Sequence, residues 1–166
     1  MEKYIPDIYQ KSIYTINYSK LFKHGIKCIL FDIDNTLVPT GSKDISDELI
    51  ELFDKIKKIG ITPIIYTSSN KRVNIFTDAL NIEGYSKLHK NFKDILKEYK
   101  EPELAIIGDE MVKDIKYGNN EGITTILVNP ISKKDSFISS LRRIKENRIV
   151  SKLRKNNLFV KGRYYE

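Results

Sequence analysis

Two carboxylates two residues apart, Asp32 and Asp34, end an otherwise apolar run in the stretch CILFDIDNT. Burying one Asp beside a hydrophobic strand is costly, and a second like charge next to it costs more unless a cation is shared between them. Residues i and i+2 leaving a strand point the same way, so both side chains are expected to face one ligand. A third acid, Asp109, follows another apolar run, LAIIG. Asp114 comes five residues later, about one helical turn on, where it is expected to support a metal from behind the direct ligands. Hard carboxylate oxygens in this arrangement suit Mg²⁺, which is typically held by one or two carboxylates together with phosphate oxygens of a substrate.

These acids must be carried by a scaffold that brings distant parts of the chain together. Short apolar runs recur as CILF (28–31), PIIYT (63–67), LAIIG (104–108) and TTILV (124–128), with helical patterns between them. That alternation predicts an α/β fold, a Rossmann-like parallel sheet with helices on both faces in three layers. One helix is expected to start at the Ser46 cap, with Asp47 and Glu48 at its positive end, Leu49, Ile50, Leu52, Phe53 and Ile56 at helical spacing, and Gly60 after its last turn. A shorter helix is expected over 70–80, and another from near Asn91 with Phe92, Ile95, Leu96 and Tyr99 on one face. In such sheets ligands bind beyond the C-terminal strand ends, where the strand order reverses. The residues found there are DIDNT after the first run, TSSN after the second and GDEMVKD after the third.

Taken singly, each signal has an ordinary explanation. DIDNT and GD are common in turns, Thr67 is an unremarkable strand end, and Lys90 is one of 18 basic residues before position 131. Together and in this order, DxDxT at Asp32, Asp34 and Thr36, the hydroxyl at Thr67, Lys90, and GDxxxxD at Asp109 and Asp114 resemble the four motifs of the haloacid dehalogenase-like phosphatases. More closely, the chain resembles the YqeG group, a capless branch related to the phosphatidylglycerophosphate phosphatases of mitochondria. The similarity runs through YIPDIYQKSIYTI, HGIKCILFDIDNTLVP, GDEMVKDIKYGNNEGITTILVNPI and SFISSLRRIKENRIVSKLRK, roughly residues 4 to 155. It implies Asp32 as a nucleophile forming an aspartyl-phosphate and Asp34 as the general acid and then base. It implies Mg²⁺ on the Asp32 and Asp109 carboxylates and the Asp34 backbone carbonyl. Thr67 and nearby backbone N–H groups would hold phosphate oxygens, and Lys90 would offset the remaining negative charge. Asn91 stands where relatives carry proline after the lysine, and TSSN where they often read S-N-N, so Ser68, Ser69 and Asn70 receive no substrate contact. His24 and His89 are read as surface residues.

Substrate size follows from what is missing. The gap from Thr36 to Thr67 has room for one helix and that from Thr67 to Lys90 for less, so no lid domain is expected. An open site fits a macromolecular or membrane-borne phosphomonoester. The charge points the same way: of a net +7, residues 1–130 contribute −1 and residues 131–166 contribute +8. We therefore divide the chain into a catalytic core with its lead-in segment (1–130) and a basic extension (131–166) that packs on or is attached to the same domain. Such an extension seeks an anionic surface, a membrane or phospholipid headgroup first and nucleic acid second. Within it Phe137, Ile138, Leu141 and Ile144 form one helical stripe, with Ile149, Val150 and Leu153 drifting to another face. No basic flank precedes an apolar block at the N-terminus, and no run approaches the roughly 20 residues that span a bilayer. The single Cys28 lies inside an apolar run and is read as a packed thiol in a reducing compartment. The expected protein is cytoplasmic or peripheral on a membrane face, and removes the terminal phosphate of phosphatidylglycerophosphate. Alternatives are a phosphatase of nucleic-acid ends, phosphoproteins or soluble metabolites, or, outside enzymes, a phospho-receiver or RNA- or ribosome-binding module.

Overall fold

The computed structural model describes residues 2–87, 92–95, 97–132 and 137–157. Its strands are β1 (Ile8–Gln10), β2 (Cys28–Phe31), β3 (Thr62–Thr67), β4 (Glu83–Ser86), β5 (Leu104–Gly108) and β6 (Thr124–Val128). Its α-helices are α1 (Tyr18–Lys23), α2 (Asp47–Ile59), α3 (Val73–Leu80), α4 (Phe92–Ile95), α5 (Lys116–Asn120) and α6 (Phe137–Lys155). The strands form one sheet in the order β1-β6-β5-β2-β3-β4, with every pairing parallel. From β2 the chain winds outward to β3 and β4, then returns to the other side of β2 with β5 and β6. The order therefore reverses between β2 and β5, which is where a ligand crevice opens in sheets of this type.

Because successive strand residues face opposite sides, the apolar runs feed two cores. Ile29, Phe31, Ile65, Ile107 and Ile126 pack under α1, α2 and α3 through Leu21, Leu49, Phe53, Ile56, Phe76 and Leu80. Cys28, Leu30, Ile64, Tyr66, Leu104 and Ile106 pack on the opposite face with Ile95, Ile123 and Tyr117. The α2 signals are realised: Ser46 accepts from the Leu49 N–H at 3.2 Å, and Gly60 ends the helix at φ 106°.

Several expectations need correcting. The helix over 70–80 begins only at Val73, and the helix beginning near Asn91 is the four-residue α4, with Tyr99 beyond its end but still packed on the second core. Leu96 lies outside the described residues. Among the described side chains of α6, Glu146, Ile149, Val150 and Leu153 face the domain, spaced as one helical stripe, and Ile144 is exposed, whereas the side chains of Phe137, Ile138 and Leu141 lie outside the described residues. Ile149 and Leu153 meet Met111, Ile115 and Leu127, forming a third apolar cluster beside β6. Only α2 lies between Thr36 and β3, and only α3 between β3 and β4, so nothing inserted covers the C-terminal strand ends there.

Candidate active site

Asp32 extends the β2 ladder by one residue, its N–H donating to Ile107 O at 3.2 Å, so its carboxylate sits at the reversal point. Asp109 follows β5 directly. Asp114 reaches the same place by a different route. Residues Met111–Ile115 form one wide π-type turn, and Asp114 folds back so that its Oδ2 accepts from the Glu110 N–H at 3.1 Å. The approach depends on Gly108, since a β-carbon there would lie 2.6 Å from Asp114 Cβ, a separation that real side chains do not adopt. The result is a group of three buried carboxylates, Asp32, Asp109 and Asp114, each offering an oxygen within 4.8 Å of the others.

The electrostatics of this group are those of acids crowded in a dry place. Burial pushes the Asp32 carboxyl above its ordinary range, against the opposing pull of Lys87 and a hydrogen bond from the Thr67 hydroxyl. Asp109 is pushed up to about 9 by burial first, then by Asp114, Glu110 and Asp32, with Arg143 opposing. Burial raises Asp114 as well, with Lys87 opposing and Asp32 adding to the rise. Asp32 Oδ1 has no hydrogen-bond partner among the described residues, and neither has the buried Thr36 hydroxyl. An orphaned carboxylate oxygen facing two more buried carboxylates fits a hard divalent cation, and an all-oxygen donor set of this charge suits Mg²⁺.

The sequence-derived residues do not all meet there. Asp34 stays near enough to Asp32 for its charge to add to the rise of the Asp32 carboxyl. After Asp32 the chain turns: Leu37 N–H bonds Ile33 O at 3.0 Å, Asn35 N–H bonds Val38 O at 2.7 Å, and Asn35 adopts φ 57°. The Asp34 carboxylate then lies outside the three-acid group. Its Oδ1 accepts from the Gly41 N–H at 2.9 Å and from Arg72 Nη2. Asp114, expected behind the direct ligands, stands instead as one of the three. Thr67 is fully buried at the end of β3, with its hydroxyl bonded to Asp32. Lys90 and His89 lie outside the described residues. Of the TSSN residues Ser68 and Asn70 are exposed, while Ser69 donates its N–H to Thr67 Oγ1 at 3.3 Å. His24 is exposed at the end of α1.

Two cations beside the acids escaped sequence reasoning. Lys87 donates its N–H to Thr67 O at 2.8 Å, continuing the chain past β4 so that its Nζ reaches Asp114 Oδ1 at 3.3 Å and lies 5.4 Å from the centre of the Tyr66 ring. Burial alone would pull this ammonium down, but Asp114 and Asp32 outweigh it and hold it above its ordinary value. Arg143, on α6, places Nη2 3.6 Å from Asp109 Oδ2. It lines a cavity of about 230 Å³ together with Asp109, Asn129 and Arg154. α6 is tied down beside it by Glu146, which accepts from the Val112 N–H at 3.3 Å.

Comparison with known proteins gives two relatives and a family. Residues 85–151 match the HAD-hydrolase-like family. The chain is 35% identical over 159 residues to the probable phosphatase YqeG of Bacillus subtilis, covering 92% of each. It is 27% identical over 158 residues to phosphatidylglycerophosphate phosphatase 1, chloroplastic/mitochondrial, of Arabidopsis thaliana, covering 84% of this chain and 45% of that one.

Proposed function

The chain belongs to the HAD-like phosphatases, in the group of YqeG, and from that premise we propose that it is a Mg²⁺-dependent phosphomonoesterase that works through an aspartyl-phosphate on Asp32 and acts on phosphatidylglycerophosphate at a membrane surface. The observation that carries the chemistry is the convergence of Asp32, Asp109 and Asp114 at the point where the strand order reverses. Asp32, Asp109 and Asp114 would hold the ion, with the Asp34 backbone carbonyl as the further ligand that the family resemblance implies. When bound, the ion neutralises carboxylate and phosphate charge that would otherwise repel.

The chain's own residues supply the steps. A carboxylate oxygen of Asp32 forms a bond to phosphorus as the bond to the ester oxygen breaks, and Asp34 gives the leaving alkoxide its proton. Asp34 then takes a proton from water as that water attacks phosphorus, releasing inorganic phosphate and restoring the Asp32 carboxylate. Thr67 orients Asp32 through its hydroxyl, whose single proton would turn to a phosphate oxygen once the ester is bound. Lys87 balances negative charge beside Asp32 and Asp114, the role the resemblance gives to Lys90; comparing Lys87→Met with Lys90→Met separates the two.

The lipid reading rests on the name of the Arabidopsis relative, on the uncovered strand ends, and on α6, whose Lys145, Arg148, Lys152, Arg154 and Lys155 are all exposed. No helix among the described residues is long and apolar enough to cross a membrane. Basic residues within a Debye length of an anionic bilayer contribute about 1 kcal/mol each, so these alone would hold the protein at its surface. The test is phosphate release from phosphatidylglycerophosphate in mixed micelles with and without Mg²⁺, for the native protein and Asp32→Asn. Release that requires both Mg²⁺ and Asp32 is expected. Good turnover of soluble esters with none of this lipid would overturn the substrate assignment, and turnover surviving in Asp32→Asn would overturn the mechanism.

A further inference from the structure

Asp34 sits on a turn with its side chain about a third exposed, an insecure mounting for a group that has to exchange a proton within hydrogen-bond reach. What fixes it is Arg72, just before α3, whose own side chain is only 8% exposed. The guanidinium spends its donors on three separate segments. Nη2 bonds Asp34 Oδ1, Nη1 bonds Ser42 O at 2.7 Å, and Nε bonds Ser69 Oγ at 3.2 Å. Ser69 in turn donates its N–H to the Thr67 hydroxyl oxygen. One planar fork therefore registers the loop after β2, the 40–42 turn and the loop after β3, the segments that carry Asp34 and Thr67. Both hydrogen bonds to the Asp34 carboxylate, from Gly41 and from Arg72, fall on Oδ1. Oδ2 has no hydrogen bond among the described residues.

We propose that Arg72 is the positioning residue for Asp34: it pins one carboxylate oxygen so that the other is presented to the leaving group, and it sets that oxygen relative to the phosphate held at Thr67. This rests on the reading of Asp34 as the general acid given above. A purely structural arginine would stabilise the loops and leave the chemistry of different substrates equally affected. A positioning arginine has a signature that depends on the leaving group. An alkoxide needs a proton as it departs, whereas a nitrophenolate leaves without one, so a defect of Asp34 as acid lowers kcat/KM with alkyl phosphates and spares it with 4-nitrophenyl phosphate; its defect as base, in the hydrolysis common to both esters, enters kcat alone. Lysine keeps the charge but cannot reproduce the three-way fork.

The experiment compares Arg72→Lys, Arg72→Gln and Asp34→Asn on glycerol 3-phosphate and 4-nitrophenyl phosphate, with thermal unfolding of each variant. General acid catalysis contributes about 10²- to 10⁴-fold, so Asp34→Asn is expected to lose that much in kcat/KM on the alkyl ester and little on the aryl ester. Arg72→Lys is expected to follow the same pattern in kcat/KM at about 10- to 100-fold, with no additional loss when combined with Asp34→Asn. If Asp34→Asn loses equally in kcat/KM on both esters, the general-acid reading itself falls. If Asp34→Asn shows the leaving-group dependence while Arg72→Lys is unimpaired or loses kcat/KM equally on both esters, the positioning role of Arg72 falls and the reading of Asp34 stands. Should Arg72→Gln fail to fold, Arg72→Lys still decides.

Discussion

Replacing Gly108 by alanine probes the site without removing any functional group. The added β-carbon would lie 2.6 Å from Asp114 Cβ, and it would meet that residue's carboxylate as well. Ordinary contact begins near 3.4 Å, so the two must separate by roughly 1 Å, and Asp114 cannot retreat far because it is fully buried in the turn that closes on Glu110. Overpacking of this kind costs about 1–3 kcal/mol. For a chain of this size that lowers the unfolding midpoint by about 2–12 °C. The functional loss should be larger than the stability loss suggests, since a displacement of about 1 Å in a catalytic group can cost about 100-fold. Phosphate release at saturating Mg²⁺, measured well below the unfolding midpoint, is the assay, with Asp114→Ala as reference. Because both variants act through one carboxylate, Gly108→Ala combined with Asp114→Ala should be scarcely worse than Asp114→Ala alone. A folded Gly108→Ala protein with native turnover and native Mg²⁺ dependence would refute the placement of Asp114 among the metal-facing acids.

Two more outcomes follow from the same geometry. Mg²⁺ at about 100 times its dissociation constant should stabilise the folded state by about 2.7 kcal/mol, a rise of about 5–11 °C in the unfolding midpoint over chelated protein, and the rise should vanish in Asp109→Asn. Identical midpoints with chelator and with Mg²⁺ would contradict the fit of the three carboxylates to an ion. Burial, followed by the Glu98 and Glu83 charges, pushes the Cys28 thiol up to about 12. A raised thiol pKa means the folded state keeps its proton longer than the unfolded chain. Cys28 therefore costs no stability below about pH 9 and lowers it only as pH rises from about 9 towards 12. At pH 8 iodoacetamide should label Cys28 in urea and leave the folded protein untouched; rapid labelling of the folded protein would be the contrary result.

What could be read from the sequence depended on burial. CILF, PIIYT, LAIIG and TTILV stand out because a parallel sheet covered on both faces needs uninterrupted apolar strands. The edge strands lack that signature: β4 is EGYS, with only Ser86 buried, and β1 is three residues long, so neither rises above its neighbours. Asp32, Thr67 and Asp109 stood out because polar residues end otherwise apolar runs there, and Asp114 because it follows Asp109 in GDEMVKD. Their detailed roles did not. Counting five residues from Asp109 suggests an ordinary helical turn, but the wider turn and the missing β-carbon of Gly108 draw the Asp114 carboxylate inward. Lys87 and Arg72 had no marker at all among 29 basic residues. One is delivered by a backbone bond to Thr67 and the other by the path of a loop, and both are properties of the folded chain.

The distribution of charge also acquires a physical reason once the site is assembled. Three buried acids and a phosphate ester make the mouth of the crevice a poor neighbour for an anionic bilayer, since like charges focused at a low-dielectric edge repel. On the lipid reading proposed above, the protein must nevertheless bring that crevice to such a surface. The basic excess of residues 131–166 supplies the opposing field, and α6 is where it meets the site. Its inner face is held by Glu146 on Val112 and by Ile149 and Leu153 on Met111, Ile115 and Leu127, while Arg143 stands beside Asp109, Arg154 lines the same cavity, and Lys145, Arg148, Lys152 and Lys155 are exposed. On that reading the helix that would hold the protein to the membrane packs against the turn that carries Asp114, so the contact that attaches the protein would also orient the crevice.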